Sequence, residues 1–496
     1  MRRPAAPVSV CAAGAAGVFY GMRLLPPGDT YRTVPVWVVS CILLSGAAVL
    51  GTFVFPGPGK INVRGKKYFI YIVTLAAGIV FGMTARSLAA AKFYPGIPIQ
   101  TISGISGLLL DDPRTFLNRS GTARLDVTGV SASGGIRAVP SGTVTVFFPE
   151  HSMPQLKEFG KNSRIYAEGR FFGADQKGIQ RFEARTVYIT DRPATVYRIR
   201  NTVRIEILER FSPYPWGSLA AALLLGVRDD LDRTIQNNYR DAGVSHVLAL
   251  SGMHLAVISG LIAFLLSKPL GLKRAGITGA VLIGAYIFLV GPQPSLLRAA
   301  IMYFIGTAAL LTGVSKESLP VLSAAFLIQL ALQPAQGDEV SFILSYLALA
   351  GILVISPAFL SLCRGRIPEF LSQPLAASVG AFIATCPVVC AFFGVLRPAG
   401  IAAGLVIVPL STVFMVGALV WLAVSFLIPP AGPVLGIILS VLYDCLGWVV
   451  SFAARFPGWE PPGLTAGIGL TLGSVLFIAA AYFQNYRSRM RFVPFN

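Results

Sequence analysis

The sequence predicts a polytopic α-helical membrane protein of about 12 spans, with a small extracytoplasmic β-barrel inserted among them. Three observations predict it. Of 496 residues, 54% are hydrophobic and only 13% charged, about half the charged share of a soluble domain. Apolar runs of about 20 residues recur, enough at about 1.5 Å per residue to cross a hydrocarbon core of about 30 Å. Between the early and late runs lies a polar block over 110–195 that switches to strand-period alternation.

The first apolar segment, Val8 to Leu25, has no small-x-small cleavage site and reads as a span. Spans over 35–56 and 68–91 follow, completing an N-terminal helical region over 1–94. In the polar block, strands are expected at Arg124–Val130, Gly142–Phe148, Arg164–Phe172 and Phe182–Thr190. Gly and Pro punctuate them, as in Ser133-Gly-Gly and Val139-Pro-Ser-Gly. Four or five strands in about 80 residues suit a small closed barrel such as an OB-fold, or a small sandwich.

Linker helices are expected over 196–245. Tyr197 to Phe211 spaces apolar residues at helical intervals with arginines between, the pattern of an amphipathic helix lying at a membrane surface. Trp216 to Gly226 is apolar but too short to span, so it reads as a surface or re-entrant helix. Asp229 to Asp241 reads as a polar helix. A second membrane domain over 246–496 carries spans at 246–266, 276–291, 295–313, 319–333, 340–356, 374–394, 400–427, 433–453 and 464–483.

Loop charges orient these spans. Arg2 and Arg3 precede the first, and Lys60, Arg64, Lys66 and Lys67 follow the second. Both flanks read as cytoplasmic, so the third span delivers the β-domain outside. Lys268, Lys273, Arg274, Arg364, Arg366 and the tail Arg487-Ser-Arg489-Met-Arg491 then fall inside. This bias explains much of the net charge of +19; attraction of a polyanion is the sharper reading, which charge alone does not establish. The six cysteines, Cys11, Cys41, Cys363, Cys386, Cys390 and Cys445, lie in or beside apolar segments. They form neither a disulfide framework nor a zinc-type spacing, and no cofactor or metal is expected.

Ionisable and polar groups are costly in hydrocarbon, which makes those that remain site candidates. Two of the three histidines lie in Gly243-Val-Ser-His246-Val-Leu-Ala-Leu-Ser251-Gly252-Met-His254. Ser251 and His254 share a helix face at a spacing of three. They could form a nucleophile and base, or let helices pack closely and hydrogen-bond. Ser295 and Arg298 open the next-but-one span; Arg298 can snorkel, pair with an acid, or offer a fork to a phosphate. Ser341 and Ser345 form a polar stripe after Asp338-Glu339, whose charges suit a helix N-terminus. Asp444 sits mid-span, with Arg298 as a candidate partner. In the β-domain, Arg164, Tyr166, Arg170, Phe172, Lys177 and Arg181 interleave basic and stacking residues, as single-strand binders do.

These motifs, in this order, resemble the ComEC-type competence family, the DNA-internalisation channels of natural transformation. The resemblance rests on Leu223-Leu-Leu-Gly226, on Tyr239-Arg-Asp-Ala-Gly243 through His254, on Pro294-Ser295-Leu-Leu-Arg298-Ala, and on Ser341-Phe-Ile-Leu-Ser345-Tyr. It departs in two places. Gly226-Val-Arg-Asp229 displaces the acid that often follows the glycine, and Gly404 stands ahead of Pro409 where many members carry Asn. The His-x-His-x-Asp motif of the family's metallo-β-lactamase-like domain is absent from this sequence, so strand degradation would fall to a separate nuclease.

The resemblance implies a bacterial inner-membrane channel that passes single-stranded DNA into the cytoplasm and is not itself an enzyme. His246, Ser251, Gly252, His254, Ser295, Arg298, Ser341, Ser345 and Asp444 would line or support its pore. Expected partners are single-stranded DNA, the lipid bilayer, a DNA receptor, a cytoplasmic motor, a separate nuclease and a second copy of the chain. No P-loop is present, so the pulling force comes from elsewhere. The rivals are a transporter of another anionic solute and an intramembrane serine hydrolase.

Overall fold

The computed structural model describes residues 6–21, 76–84, 93, 95–116, 120–132, 137–138, 140, 142–174, 179–313, 318–363 and 366–460. The spans expected over 35–56 and 464–483, most of that over 68–91, Cys41 and Lys177 lie outside the described residues. So do the basic flanks at Arg2, Arg3, Lys60, Arg64, Lys66, Lys67, Arg364 and the tail. Helix α1 (Ala6–Gly21) packs Ala15 and Phe19 into a cluster with Leu322, Phe326 and Phe342 of the late helices.

The polar block is a closed five-stranded barrel. Its strands are β1 (Ile102–Leu109), β3 (Gly121–Ala132), β5 (Thr143–Phe148), β6 (Arg164–Ala174) and β7 (Gln180–Asp191). The order β1-β6-β7-β5-β3 closes through the β1–β3 pair, which settles barrel over sandwich. Short strands β2 (Arg114–Thr115) and β4 (Arg137–Ala138) add to β3, and α2 (Met153–Phe159) follows β5. Ile105, Leu125, Val144, Val146, Ile165, Ala167 and Phe182 fill the interior. Each large aliphatic or aromatic side chain there contributes about 1.5–3 kcal/mol. The barrel starts before the expected 110, because register shifts in β1 at Ile102/Gly104 and Ser106/Gly107 break its period-2 pattern.

Helix α3 (Thr195–Phe211) leaves the barrel and departs from a simple amphipathic pattern. Arg200 and Asn201 are buried, while Val196, Ile199 and Val203 are exposed. The short apolar segment is helix α4 (Gly217–Leu225), buried along nearly its whole length rather than lying on a surface. Trp216 before it stacks on Tyr214 and meets Phe211, Phe414 and Trp421. Then come α5 (Arg233–Asp241), capped by the Asp232 carboxylate on the Thr234 N–H, and the single turn α6 (Ser245–Leu248).

The helical block continues with α7 (Gly252–Leu270), α8 (Leu272–Val290), α9 (Pro294–Thr312), α10 (Ser318–Leu332), α11 (Val340–Val354) and α12 (Ser356–Cys363). It ends with α13 (Glu369–Phe393), α14 (Ala399–Leu427) and α15 (Gly432–Ala453). Among the described residues, seven helices are long and apolar enough to cross a membrane: α7, α8, α9, α11 running on into α12, α13, α14 and α15. With the inserted barrel, the chain is a polytopic helical membrane protein. Helix α10, at 15 residues, is shorter than these. Helices α11 and α13 touch backbone to backbone: a Cβ at Gly351 would overlap the Gly380 carbonyl. The span expected from 246 begins at Gly252, because Ala249 and Ser251 are extended and break the helix there.

The barrel is clasped to this block. Asp112, after β1, accepts both Nη groups of Arg200, at 2.9 and 2.6 Å, and the Lys161 N–H at 3.1 Å. Arg200 Nε donates to the Phe288 carbonyl at 2.7 Å, and Arg204 Nη1 to that of Val290 at 3.2 Å. Those carbonyls end α8, where a helix leaves acceptors without intrahelical partners and its dipole favours cations. A second tie runs from the Thr115 N–H to Asp229 Oδ2 at 3.0 Å. The acid displaced in the sequence motif therefore docks the barrel.

Candidate functional site

The break before α7 creates the first part of the site. A helix start leaves N–H groups unpaired. His254, third residue of α7, turns its ring back so that Nδ1 accepts the Ser251 N–H at 3.0 Å. Ser251 Oγ lies 3.3 Å from the same nitrogen. The Ser-x-x-His spacing is thus a capping box, with imidazole in the place usually taken by Glu or Gln. An Nδ1 engaged by a backbone donor is poorly placed to take a serine proton, and in the neutral ring it leaves the hydrogen on Nε2.

Gly252 provides the close approach. A Cβ there would lie 2.8 Å from Arg298 Nη2 and 3.3 Å from Ala299 Cβ. A larger residue would displace the Arg298 guanidinium and crowd Ala299. Arg298 is 8% exposed, and its Nη1 donates to the Ser345 carbonyl of α11. Its guanidinium carbon stands 5.6 Å from the Tyr346 ring centre. Ser345 Oγ donates to Ser295 Oγ at 2.9 Å. Arg298 Nε is buried with no hydrogen-bond partner, and no carboxylate pairs with this arginine among the described residues.

Behind the arginine runs a hydrogen-bond chain. Tyr346 Oη donates to Gln329 Oε1 at 2.8 Å, and Gln329 Nε2 donates to the Pro294 carbonyl at 3.0 Å and to Gln336 Oε1 at 3.1 Å. Gln336 Nε2 closes it on the Pro292 carbonyl at 3.2 Å. Sequence reasoning missed Gln329, Gln336 and Tyr346 as site supports. A buried glutamine inside apolar α10 is the signal that could have found them, because an amide in hydrocarbon needs partners.

The fold thus brings Ser251, Gly252, His254, Ser295, Arg298 and Ser345 into one cluster at the starts of α7 and α9 and the second turn of α11. His246 is exposed on the preceding turn α6, and Ser341 is exposed and donates to Glu339 Oε2 at 3.3 Å. The pairing of Asp444 with Arg298 is overturned. Asp444 lies on α15, which packs on α14 and α5, and lines a cavity of about 170 Å³ with Leu219, Ile235, Tyr239 and Tyr443. Arg298 spends its fork at Ser345 instead, so these two residues share no site.

On the barrel, the even-numbered residues of β6 point outward. Arg164 is exposed at the strand end, Arg170 pairs with Glu183 at 3.1 Å, and Phe172 is exposed. Tyr166 packs against Tyr188 and meets Ser131 Oγ at 3.2 Å. Arg181 lies opposite Thr145 on the parallel neighbour β5. Phe172 meets Phe147 edge-on at 5.3 Å, and Phe147 stacks on Phe116 at 6.3 Å, a row missed because Phe116 lies outside the expected strands.

The three motif stretches that meet at Arg298 lie inside the match to the competence protein family model, which covers residues 223–486. The chain belongs to the competence protein family. Among curated relatives, ComE operon protein 3 of Bacillus subtilis (strain 168) is 26% identical over 164 residues, 33% of this chain and 21% of that protein. An uncharacterized protein of Aquifex aeolicus (strain VF5) is 25% identical over 350 residues, 68% of this chain and 81% of its own length. The uncharacterized protein YcaI of Escherichia coli (strain K12) is 33% identical over 97 residues, 18% of this chain and 13% of that protein. The alignment with the Bacillus protein therefore spans about a fifth of that relative's length. No solved structure matches the chain.

Proposed function

We propose that this competence-family protein is an inner-membrane channel passing single-stranded DNA into the cytoplasm during natural transformation. The observation that carries the reading is Arg298: a buried guanidinium with no acid partner among the described residues, at the meeting point of three helices. An anionic backbone in transit supplies the missing counter-charge. A single such arginine among serine hydroxyls and helix starts attracts phosphates without trapping them, which conduction requires. Ser251, Gly252, His254, Ser295 and Ser345 support this arginine, and His246 and Ser341 flank it. The barrel residues Arg164, Tyr166, Arg170, Phe172 and Arg181 would meet the strand on the outside.

Orientation follows the same logic. Lys268, Lys273 and Arg274 cluster at the α7–α8 turn, the far end of that hairpin from the α8 carbonyls that hold the barrel. A cytoplasmic turn and an extracytoplasmic barrel fit the positive-inside rule. A DNA receptor, a motor and a separate nuclease complete the pathway.

Labelled DNA offered to a strain lacking the gene tests the function. Accumulation outside the inner membrane, relieved by the wild-type gene, supports the channel; undiminished entry moves the reading to a transporter of another anionic solute. The hydrolase reading is disfavoured because His254 Nδ1 is engaged by the Ser251 N–H.

A further inference from the structure

We propose that Arg114 and Arg228 form a phosphodiester-binding site across the seam between barrel and helical block, where a strand leaves the aromatic row of the barrel. The proposal rests on the channel reading and names the place where the strand changes hands. Arg114 belongs to β2 of the barrel and Arg228 to the loop after α4. Their sequence neighbours are joined directly: the Thr115 N–H donates to Asp229 Oδ2 at 3.0 Å. Two exposed guanidinium side chains therefore flank one short interdomain hydrogen bond.

The local acid does not neutralise them. Asp229 is committed to the Thr115 N–H and to Lys157 Nζ at 3.7 Å. Neither Arg114 nor Arg228 has a carboxylate in ion-pair distance among the described residues. The surrounding protein, and then the Arg114 charge, both disfavour the charged form of Arg228. Like charges held together at a seam favour an anion between them, and the planar fork of arginine suits a phosphate.

The neighbouring surface selects nucleic acid over a lipid head group. Phe116, two residues beyond Arg114, is 46% exposed and begins the row that runs through Phe147 to Phe172, itself 47% exposed. Large aromatic faces beside cationic groups are what single-strand binders offer to bases and phosphates. On the other side, Gly226 lies close to Leu250 and Gln293 Nε2, the residues that lead to Ser251 and to the start of α9. Leu250 and Gln293 immediately precede Ser251 and α9, whose starts meet at Arg298.

The test uses the full-length protein in zwitterionic nanodiscs and a fluorescent oligo(dT) of about 12 nucleotides, compared with an abasic strand of equal length. Arg114→Gln and Arg228→Gln are each expected to weaken binding about fivefold, and to lower the salt slope by about 0.7 per arginine removed. Phe147→Ala is expected to erase the preference for oligo(dT) over the abasic strand. Arg114→Gln alone carries the test if Arg228→Gln fails to fold, since Arg114 is exposed at the barrel edge. Wild-type affinity and salt slope in the arginine variants would overturn the site. So would a loss confined to binding of anionic-lipid vesicles. Binding that depends on both arginines, in a protein whose deletion leaves DNA entry intact, would keep the site and remove the channel reading.

Discussion

Two buried arginines divide the molecule into a region that is held and a region that is poised. Arg200, 4% exposed, joins the barrel to the end of α8 with its fork on Asp112 and its Nε on the Phe288 carbonyl. Arg298, 8% exposed, has a carbonyl, an aromatic face and no acid among the described residues. Burial is alike, but neutralisation is not. A buried guanidinium with a bidentate carboxylate reads as structural; one left without a counter-charge reads as waiting for an anion. The same contrast separates the Arg170–Glu183 pair on the barrel wall from Arg114 and Arg228 at the seam.

Arg298 and Arg200 should differ most sharply when each is replaced. Arg298→Gln is expected to lower DNA entry at least about tenfold, equivalent to about 1.4 kcal/mol, with membrane insertion and protein level unchanged. Arg200→Met should do the reverse, lowering stability by about 3–5 kcal/mol because it strands the Asp112 carboxylate. The double variant Arg200→Met/Asp112→Leu should recover most of that loss. A detergent unfolding series on the two variants and the double tests the distinction; equal losses from the single and the double would refute the clasp.

Gly252→Ala should cost about 1–3 kcal/mol, because its methyl lands on Arg298 Nη2. It should also depress DNA entry, tying the start of α7 to the arginine. Ser251→Ala should cost only about 1 kcal/mol, the worth of a helix cap, and wild-type protein should not react with a serine-directed probe. Covalent labelling of Ser251 would reopen the hydrolase reading.

The pH dependence of the clasp is the smallest effect near neutrality. Burial pushes the Asp112 carboxyl up, but the Arg200 hydrogen bonds, the Arg204 and Arg200 charges and the Lys161 N–H outweigh it and hold it below the usual carboxylate range. The clasp is therefore fully present above the unfolded carboxylate value of about 3.9 and is lost as pH falls through the lower, folded value. Protease sensitivity at the barrel–helix junction should stay flat from pH 8 to about 5 and rise only in stronger acid. A rise already at about pH 6 would implicate a histidine instead.

Most of the helical block was legible because hydrocarbon-length apolar runs leave little choice. Spans expected at 276–291, 295–313 and 400–427 appear as Leu272–Val290, Pro294–Thr312 and Ala399–Leu427. Strands with clean alternation were equally readable, whereas β1 was hidden by its two register shifts. Composition could not say which face of α3 is buried. The acid that pairs with Arg200 stands 88 residues away, in the loop after β1. Apolar Val247 to Leu250 suits a continuous helix, so only the return of the His254 ring to the Ser251 N–H marks where α7 starts. The spacing of Ser251 and His254 was visible; its role as a cap depended on the extended backbone at Ser251.

Arg298 is proposed as a transport residue and Arg200 as a structural one. Entry of labelled DNA into a strain lacking the gene, complemented with wild type, Arg298→Gln or the stability-restored Arg200→Met/Asp112→Leu, separates the two roles. Loss of entry with Arg298→Gln at normal protein level, and substantial entry with the double variant, are expected. Normal entry with Arg298→Gln, or equal loss in both variants at matched levels, would contradict this assignment.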